Sequence, residues 1–292
     1  MADLPDLRTS LGAVPLQRDV VRVHGPEAVA FLQGQLSQDI ESLAIGSSVP
    51  SLLLQPTGKV GAWLRVTRMG DDEVLLDVDR GFGEAVAAGI RRFKLRTAAE
   101  IEVTCWAGLA VRGPGATDVE APRGAIALPC AWPGVDGVDL LSEGEVAMAG
   151  VPLVAAEALE ALRIECGVPA MGAELTEDTI PAEAGGWLIE ASVSFTKGCY
   201  TGQELVARID SRGGNVPHPL RGLLVSGDPP PAGAEVVRGD TTVGAVTSSA
   251  RSPRLGAIAL AVLTRATEVD QAVALRWQGG EAEATVSPLP FR

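Results

Sequence analysis

One eight-residue run contains the side chains best suited to catalysis or ligand binding: Lys197-Gly198-Cys199-Tyr200-Thr201-Gly202-Gln203-Glu204. Thr201 and Glu204 are three residues apart, the spacing of a capping box that starts a helix. The spacing therefore predicts a helix from about Thr201. Cys199 would then lie just before a helix N-terminus and two residues after Lys197, and both the helix dipole and the ammonium group favour a thiolate.

The neighbours of Cys199 add the means to hold a ligand. Gly198 and Gly202 leave backbone uncovered, so a ligand could approach closely. Tyr200 is the only tyrosine in the chain, and its ring could stack on a flat heterocycle. A cysteine beside a glycine is also common as a packing residue, so these residues alone leave both a reactive and a structural role open.

Composition limits the other classes of function. The formal net charge of −13 over 292 residues argues against a general nucleic-acid binder, which needs positive surface to displace counterions from phosphates. The start shows no signal-peptide pattern, and the longest apolar run, 255–263, is too short to cross a membrane. A cytoplasmic protein is expected. The four scattered cysteines and two histidines disfavour a disulfide framework or a metal site built within the chain. Cys166 is expected to be a small core residue, and Cys105 and Cys130 are expected in a strand or loop of the core.

The hydrophobic pattern predicts an α+β region followed by a small barrel. Strands are predicted at 20–23, 51–55, 60–68, 73–78 and 101–111, and helices after Gly25-Pro26 and at 84–93 and 152–166. Pro56-Thr57-Gly58-Lys59 has the chemistry of a turn. After Arg212, a Gly- and Pro-rich stretch marks a boundary. The chain is therefore divided into an α+β region, 1–212, and a region with six short strands, 213–292, which form a small antiparallel barrel or sandwich. The family resemblance described next favours two α+β subdomains in 1–212 and a β-barrel in 213–292.

The eight-residue run, followed by Val206-Ala207-Arg208, resembles the signature of the YgfZ family, folate-binding relatives of the glycine cleavage T-protein. Further motifs agree along the chain: Phe31-Leu32-Gln33-Gly34-Gln35-Leu36-Ser37-Gln38-Asp39, Gln55-Pro56-Thr57-Gly58-Lys59, Arg163-Ile164-Glu165-x-Gly167 and Pro181-x-Glu183-x-Gly185. The resemblance implies a T-protein-like ring of three subdomains with antiparallel sheets. It also implies tetrahydrofolate in the central hole, and iron–sulfur client or assembly proteins as partners. Some of these clients modify tRNA.

The resemblance also assigns roles to single residues. Cys199 is the reactive group, with Lys197 beside it. Carboxylates suit a pterin because they can accept paired hydrogen bonds from its aminopyrimidine edge. The residues expected to contact the cofactor are Tyr200, Gly198, Gly202, Gln203, Glu204, Arg208, Glu165, Glu183 and Arg163. The basic cluster Arg91, Arg92, Lys94 and Arg96 could receive the glutamate tail of folate or an acidic partner, or could simply be a solvated face.

One departure from the T-protein bears on activity. The T-protein carries a pair of aspartates shortly after its hairpin turn, whereas the stretch 58–63 here has no carboxylate, and Ala62 can neither donate nor accept a proton. A folate-binding accessory protein for assembly or repair of iron–sulfur proteins is thus favoured over the alternative, a folate-dependent aminomethyl- or methyltransferase. A purely structural protein without the ligand is the third hypothesis.

Overall fold

The computed structural model describes residues 4–211 and 213–292. Its first part is one antiparallel sheet of seven strands in the order β2-β3-β4-β1-β5-β7-β6. These strands are β1 Gly12–His24, β2 Ser48–Leu54, β3 Val60–Arg68, β4 Glu73–Asp79, β5 Glu100–Arg112, β6 Ile126–Pro129 and β7 Gly137–Ser142. Five helices occur among the described residues: α1 Ala28–Gln33, α2 Gly83–Arg91, α3 Ala156–Glu165, α4 Gly186–Ser192 and α5 Gln203–Ser211.

The alternation along β3 shows how the sheet divides its two faces. Ala62, Leu64 and Val66 are buried in the core that the sheet forms with α1 and α2. Trp63 and Arg65 point to the opposite face, because successive strand side chains alternate. That second face does not meet α1 or α2, and it is the face on which a site can form.

The second part is a closed barrel in the order β10-β11-β8-β13-β12-β9. Its strands are β8 Leu220–Val225, β9 Glu235–Arg238, β10 Thr241–Ser252, β11 Gly256–Leu263, β12 Ala272–Trp277 and β13 Gly280–Ser287. Closure leaves no exposed strand edge. The barrel packs against α3, where Ile164 shares an apolar cluster with Ile258, Leu260 and Phe291. α3 therefore lies between the barrel and the free face of the sheet.

Two elements begin at residues other than the predicted ones, and backbone hydrogen bonds to other strands or segments explain both differences. The strand predicted at 20–23 extends over Gly12–His24 because β1 pairs with β5 along its whole length. The helix predicted from residue 152 begins at Ala156 because the preceding residues bridge to β1. There the Ala13 N–H donates to the Pro152 carbonyl and the Val154 N–H donates to the Ala13 carbonyl, each at 2.9 Å.

The predicted fold class is confirmed: α+β with an antiparallel sheet and a C-terminal small β-barrel. The division at 212/213 stays a prediction, and Arg212 lies outside the described residues, as do residues 1–3 of the segment inspected for a signal peptide. Over 4–211 and 213–292, no helix has both the length and the hydropathy that crossing a membrane demands.

Candidate functional site

A cavity of about 450 Å³ lies between the free face of the sheet and α3. One face of α3 lines it through Ala156, Leu159, Glu160 and Arg163, which recur at helical spacing. The opposite wall comes from β1, β3, β5 and β7, and the loops 129–132 and 168–170 complete it. Its volume falls within the range of small-molecule sites.

The floor of the cavity is a network of paired charges. Arg65 donates to Asp77 and to Asp139, each at 2.9 Å, and Arg112 donates to Asp139 at 2.8 Å. Arg18 completes the network at 3.0 Å from Asp77. Burial alone would raise the pKa of Asp139, but the charges of Arg112 and Arg65 lower it to about 2. Asp139 therefore stays ionised at neutral pH and compensates two buried guanidinium groups.

Two half-buried tryptophans supply flat apolar surface in the cavity. The Trp132 ring lies 4.7 Å from the guanidinium carbon of Arg112. Trp63 donates its indole N–H to the Ser192 hydroxyl at 3.0 Å, and its ring meets Trp187 edge-on with centroids 5.9 Å apart. Sequence reasoning placed the stacking ring at Tyr200 and missed both tryptophans, although tryptophan is scarce enough here, five in the chain, to have served as a signal.

Two partly exposed carboxylates add polar groups to the cavity lining. The Asp79 side chain is 37% exposed; it pairs with Arg18 and accepts the Met171 N–H at 3.0 Å. The Glu160 side chain is 45% exposed and pairs with Arg163 at 2.6 Å. A carboxylate has about four lone-pair positions, so both groups retain acceptor capacity toward a ligand. Arg163 is the one predicted contact residue that lines this cavity.

The structure does not bring Glu165 and Glu183 to the cavity. Glu165 follows Arg163 by two residues, about 200° around the helix, so it faces away. Its side chain, only 3% exposed, binds Arg8 at 2.9 Å and the Ser252 hydroxyl of β10. Glu183 accepts the Ile180 N–H at 3.0 Å and the His218 N–H at 3.2 Å. Both carboxylates tie the barrel to the rest of the chain.

Lys197 is hydrogen-bonded to the backbone of a neighbouring loop. Its ammonium group donates to the carbonyl oxygens of Gln33, Leu36 and Gln38 at 2.6, 2.7 and 2.9 Å. These three bonds use all of its donors, so the group supports the loop after α1. Burial lowers the pKa of Lys197 to about 8.

Gly202 is buried against the β2–β3 turn and is not open to a ligand. A Cβ at Gly202 would lie 2.4 Å from the Gln55 carbonyl oxygen, and one at Gly58 would lie 2.4 Å from the Leu205 Cβ. Both glycines have positive φ, +79° and +81°, a conformation that only glycine adopts at low cost. The motifs at 55–59 and 197–204 therefore meet backbone to backbone.

The rest of the motif is more open. Cys199 is exposed, and an added Cβ at Gly198 would meet nothing within 4 Å. The helix begins at Gln203, two residues after the predicted start, because Gln203 accepts the Tyr200 N–H at 3.2 Å while the Thr201 hydroxyl turns to Gln35.

The predicted contact residues of this region lie outside the cavity. Glu204 and Arg208 are exposed on α5. None of the residues 197–204 or Arg208 lines the 450 Å³ cavity. The basic cluster 91–96 follows α2 on the surface and does not line it either. The chain thus holds two separate candidate regions. One is the cavity under α3, and the other is the loop between α4 and α5, residues 193–202, which is called the Cys199 loop below.

The other three cysteines differ from one another. Cys166 is a fully buried core residue, as expected, and burial raises the pKa of its thiol to about 12. Cys130 lines the cavity, and burial raises its thiol pKa as well. Cys105, expected in the core, is exposed on β5. Only Cys105 and Cys199 therefore present thiols to solvent.

Ala62 belongs to the core and does not line the cavity. Its side chain is buried in the core with α1 and α2, so it faces away from the cavity. The β3 side chains on the cavity side are Trp63 and Arg65. Because β3 contains no aspartate or glutamate, the strand offers no acid on its core face or on its cavity face. Carboxylates at the cavity come from other elements, at Asp79, Asp139 and Glu160.

Comparison with known proteins agrees with this architecture. Residues 219–292 match the model of the glycine cleavage T-protein C-terminal barrel domain. An aminomethyltransferase of Thermus thermophilus is 31% identical over 92% of this chain and 83% of its own length. The tRNA-modifying protein YgfZ of Edwardsiella ictaluri is 28% identical over 93% and 89%. The crystal structure of the glycine cleavage system aminomethyltransferase T from Bartonella henselae superposes with a TM-score of 0.79 at 21% identity, covering 98% of this chain and 88% of that one. The chain belongs to the aminomethyltransferase family, and its barrel matches the model of the glycine cleavage T-protein C-terminal barrel domain.

Proposed function

We propose that this protein binds tetrahydrofolate in the cavity under α3 and acts as an accessory protein in the assembly or repair of iron–sulfur proteins, with Cys199 as its reactive group. The observation that carries the folate part is the cavity itself. It combines about 450 Å³ of space, two tryptophans and charged groups within an aminomethyltransferase fold.

The residues present fit a folate. Trp63 and Trp132 offer flat faces for a pterin. Asp79 and Glu160 retain acceptor capacity for the N–H groups of its aminopyrimidine edge. Guanidinium groups along the wall suit carbonyl and carboxylate oxygens. A bound tetrahydrofolate supplies a carrier for one-carbon units, while the side chains orient it and exclude water around it.

The iron–sulfur part is supported by the motif around Cys199 and by the similarity to YgfZ. Cys199 is exposed, and Lys197 and Gly202 hold its loop against neighbouring backbone. A cluster normally needs four ligands, and no group of three or more His, Cys, Asp or Glu residues in the described ranges is placed to hold a metal ion. A cluster that Cys199 contacts is therefore a cargo whose remaining ligands come from a client protein or small thiols. The similar protein YgfZ is named as tRNA-modifying, which favours clients that modify tRNA.

The second candidate is a folate-dependent aminomethyl- or methyltransferase. Family membership favours it, as does Asp79, a partly exposed carboxylate at the cavity that could hold or move a proton near a bound ligand. The lack of an acid on β3 counts against it. The two candidates share the ligand and differ in whether turnover follows binding.

Folate binding is tested by unfolding the protein with and without tetrahydrofolate. At 100 times its dissociation constant, a ligand adds about 2.7 kcal/mol to the free energy of unfolding. We expect Glu160→Asn to reduce this gain, and Glu281→Asn on the exposed part of β13 to leave it unchanged. An unchanged unfolding curve for the natural protein would remove the folate proposal, and a gain that neither variant alters would place the ligand elsewhere.

The role of Cys199 is tested by complementation of a strain deficient in iron–sulfur protein maintenance. Cys199→Ala should abolish growth rescue, and the matched control Cys105→Ala, at the other exposed thiol, should rescue fully. Rescue by Cys199→Ala would exclude the thiol from the function. Formation of methylenetetrahydrofolate from an aminomethyl donor by purified protein would instead support the transferase.

A further inference from the structure

A second, smaller pocket lies beside the Cys199 loop. It has a volume of about 150 Å³ and is formed where α4, α5 and the turn Pro181–Ala184 meet. Ile189, Val206 and Ile209 make its apolar walls, and Phe195 forms one side. Apolar cavities of about 150 Å³ accept a benzene-sized group, so this Phe195 pocket has room for one apolar side chain.

Phe195 is an exposed apolar residue of this pocket. It is 52% exposed, although a phenylalanine ring gains free energy from being covered. It stands at the start of the loop that leads to Cys199. The exposed surface of the Phe195 ring is therefore not covered by the chain itself and is available to a partner.

The rim of the pocket is acidic. Glu190 of α4 and Asp210 of α5 are exposed and line it, and no lysine, arginine or histidine among the described residues does. Neither carboxylate forms an ion pair within the described parts of the chain. An apolar side chain that enters between two unpaired carboxylates is best accompanied by positive charge, because rim charges select partners of the opposite sign.

The position of the pocket relative to Cys199 is fixed by the chain. Phe195 and Cys199 are four residues apart, so their Cα atoms are separated by at most about 14 Å. Between them, Lys197 is bound to three carbonyl oxygens, which prevents the loop from swinging freely. A segment bound at the pocket would thus bring a neighbouring group within reach of the exposed thiol.

We propose that the Phe195 pocket is the docking surface for a partner protein, which inserts an apolar side chain flanked by lysine or arginine and so presents its own metal- or sulfur-bearing group to Cys199. This inference rests on the proposed function and names the kind of partner that it requires. The acidic rim selects a basic partner, and the apolar pocket fixes which partner side chain binds there. The loop then keeps Cys199 close to the bound segment.

The test uses two short peptides that carry a leucine and a cysteine activated as a 2-thiopyridyl disulfide. In one peptide lysines flank the leucine, and in the other glutamates do. The protein thiolate attacks the peptide sulfur, a new disulfide forms and 2-thiopyridone leaves with the electron pair, so each site is quantified by absorbance and peptide mapping. Cys105, the other exposed thiol, is the internal control. Its rate of modification measures the general attraction of a basic peptide to this acidic protein.

We expect the lysine peptide to modify Cys199 at least about tenfold faster than the glutamate peptide, with a clearly smaller ratio at Cys105, because only Cys199 lies beside a complementary pocket. Phe195→Ser should lower the Cys199 ratio to that of Cys105. The double variant Glu190→Gln, Asp210→Asn changes only exposed residues and should do the same without affecting folding.

Equal ratios at both cysteines, or a Cys199 ratio that both variants leave intact, would overturn the proposal. Self-association in sedimentation that Phe195→Ser abolishes would also overturn it, since the occupant would then be a second copy of the chain. Tetrahydrofolate stabilisation is measured on the same samples. If it persists while docking fails, only the docking surface is lost, and the folate proposal stands.

Discussion

The cavity under α3 and the Cys199 loop satisfy their polar groups in opposite ways. In the cavity, side chains neutralise side chains: Arg65 and Arg112 share Asp139. In the loop, Lys197 is satisfied by backbone carbonyls alone. The cavity is therefore a surface with fixed charges that can orient a ligand, whereas the loop is a rigid support that leaves one thiol exposed. Most of the motif therefore positions Cys199, and on the proposed function only the thiol of Cys199 reacts.

Removing the charge that the cavity network shares should have the largest effect. Asp139→Asn leaves Arg65 and Arg112 without their common counter-ion, and breaking a buried ion pair costs about 3–5 kcal/mol. We expect a loss of that size in urea unfolding at neutral pH. Because arginine holds the pKa of Asp139 at about 2, this contribution is present at pH values above about 4 and is lost as the pH falls toward 2.

The matched control is Asp240→Asn, at an exposed carboxylate between β9 and β10. Surface substitutions usually change stability by less than about 0.5 kcal/mol. If Asp139→Asn were as mild as this control, the network would not need its charge, and the contrast between the two regions would disappear.

Lys197→Met and Cys199→Ala separate support from chemistry within the motif. The lysine variant leaves three carbonyl oxygens without a donor, and unsatisfied groups cost about 1–3 kcal/mol each when buried. Since Lys197 is only half-buried, we expect a total loss of about 3 kcal/mol. Cys199→Ala should change stability by less than about 0.5 kcal/mol and yet abolish function.

Both free energies of unfolding come from the same urea titration. A stable Lys197→Met protein whose Cys199 reacts more slowly with thiol reagents would restore the original hypothesis, in which the ammonium group stabilises the thiolate.

Two glycines of the motif provide the next comparison. Gly202→Ala forces a side chain into the Gln55 carbonyl at a positive φ. The left-handed conformation alone costs about 1–2 kcal/mol, so we expect a loss of at least about 2 kcal/mol. Gly198→Ala has open space and should stay within about 1 kcal/mol of the natural protein. Equal losses would show that the contact between the two motifs carries no stability.

The fold was accessible from the sequence wherever the pattern is local. The six barrel strands alternate and are separated by turn residues, and Pro56-Thr57-Gly58-Lys59 carries its own turn chemistry. The helix start at Ala156 was not accessible, because Pro152 and Val154 bond to Ala13, nearly 140 residues away in the sequence, and local propensity contains no trace of that pairing.

The candidate site was accessible only in part, for the same reason. The Cys199 motif is contiguous, so its sequence reveals it. Arg18, Arg65 and Arg112 lie on three strands that are adjacent or nearly adjacent only in the folded sheet. Arg65 and Arg112 each follow an apolar run in their strand, a signal that a buried charge needs a partner. The pairing of the three arginines with Asp77 and Asp139 nevertheless required the strand order.

Trp63 belongs to both regions and gives the smallest but most direct test of their relation. It lines the cavity, and its indole N–H binds Ser192, whose carbonyl accepts the Ser37 hydroxyl at 2.6 Å. Ser37 in turn accepts the Ser194 N–H at the start of the Cys199 loop. Trp63→Phe keeps an aromatic ring but removes the donor, which costs about 1 kcal/mol. We expect this loss together with weaker tetrahydrofolate binding.

Trp187→Phe is the control, since Trp187 packs against Trp63 but does not line the cavity. It should lower stability without changing the affinity for tetrahydrofolate, measured by fluorescence titration. On the proposed function, tetrahydrofolate in the cavity would contact one end of the Trp63–Ser192–Ser37 chain, while the loop contacts the other. The thiol reactivity of Cys199 should then change on ligand addition in the natural protein and change less in Trp63→Phe. If the ligand changes the thiol reactivity of Cys199 equally in both proteins, the indole N–H of Trp63 does not couple the two regions.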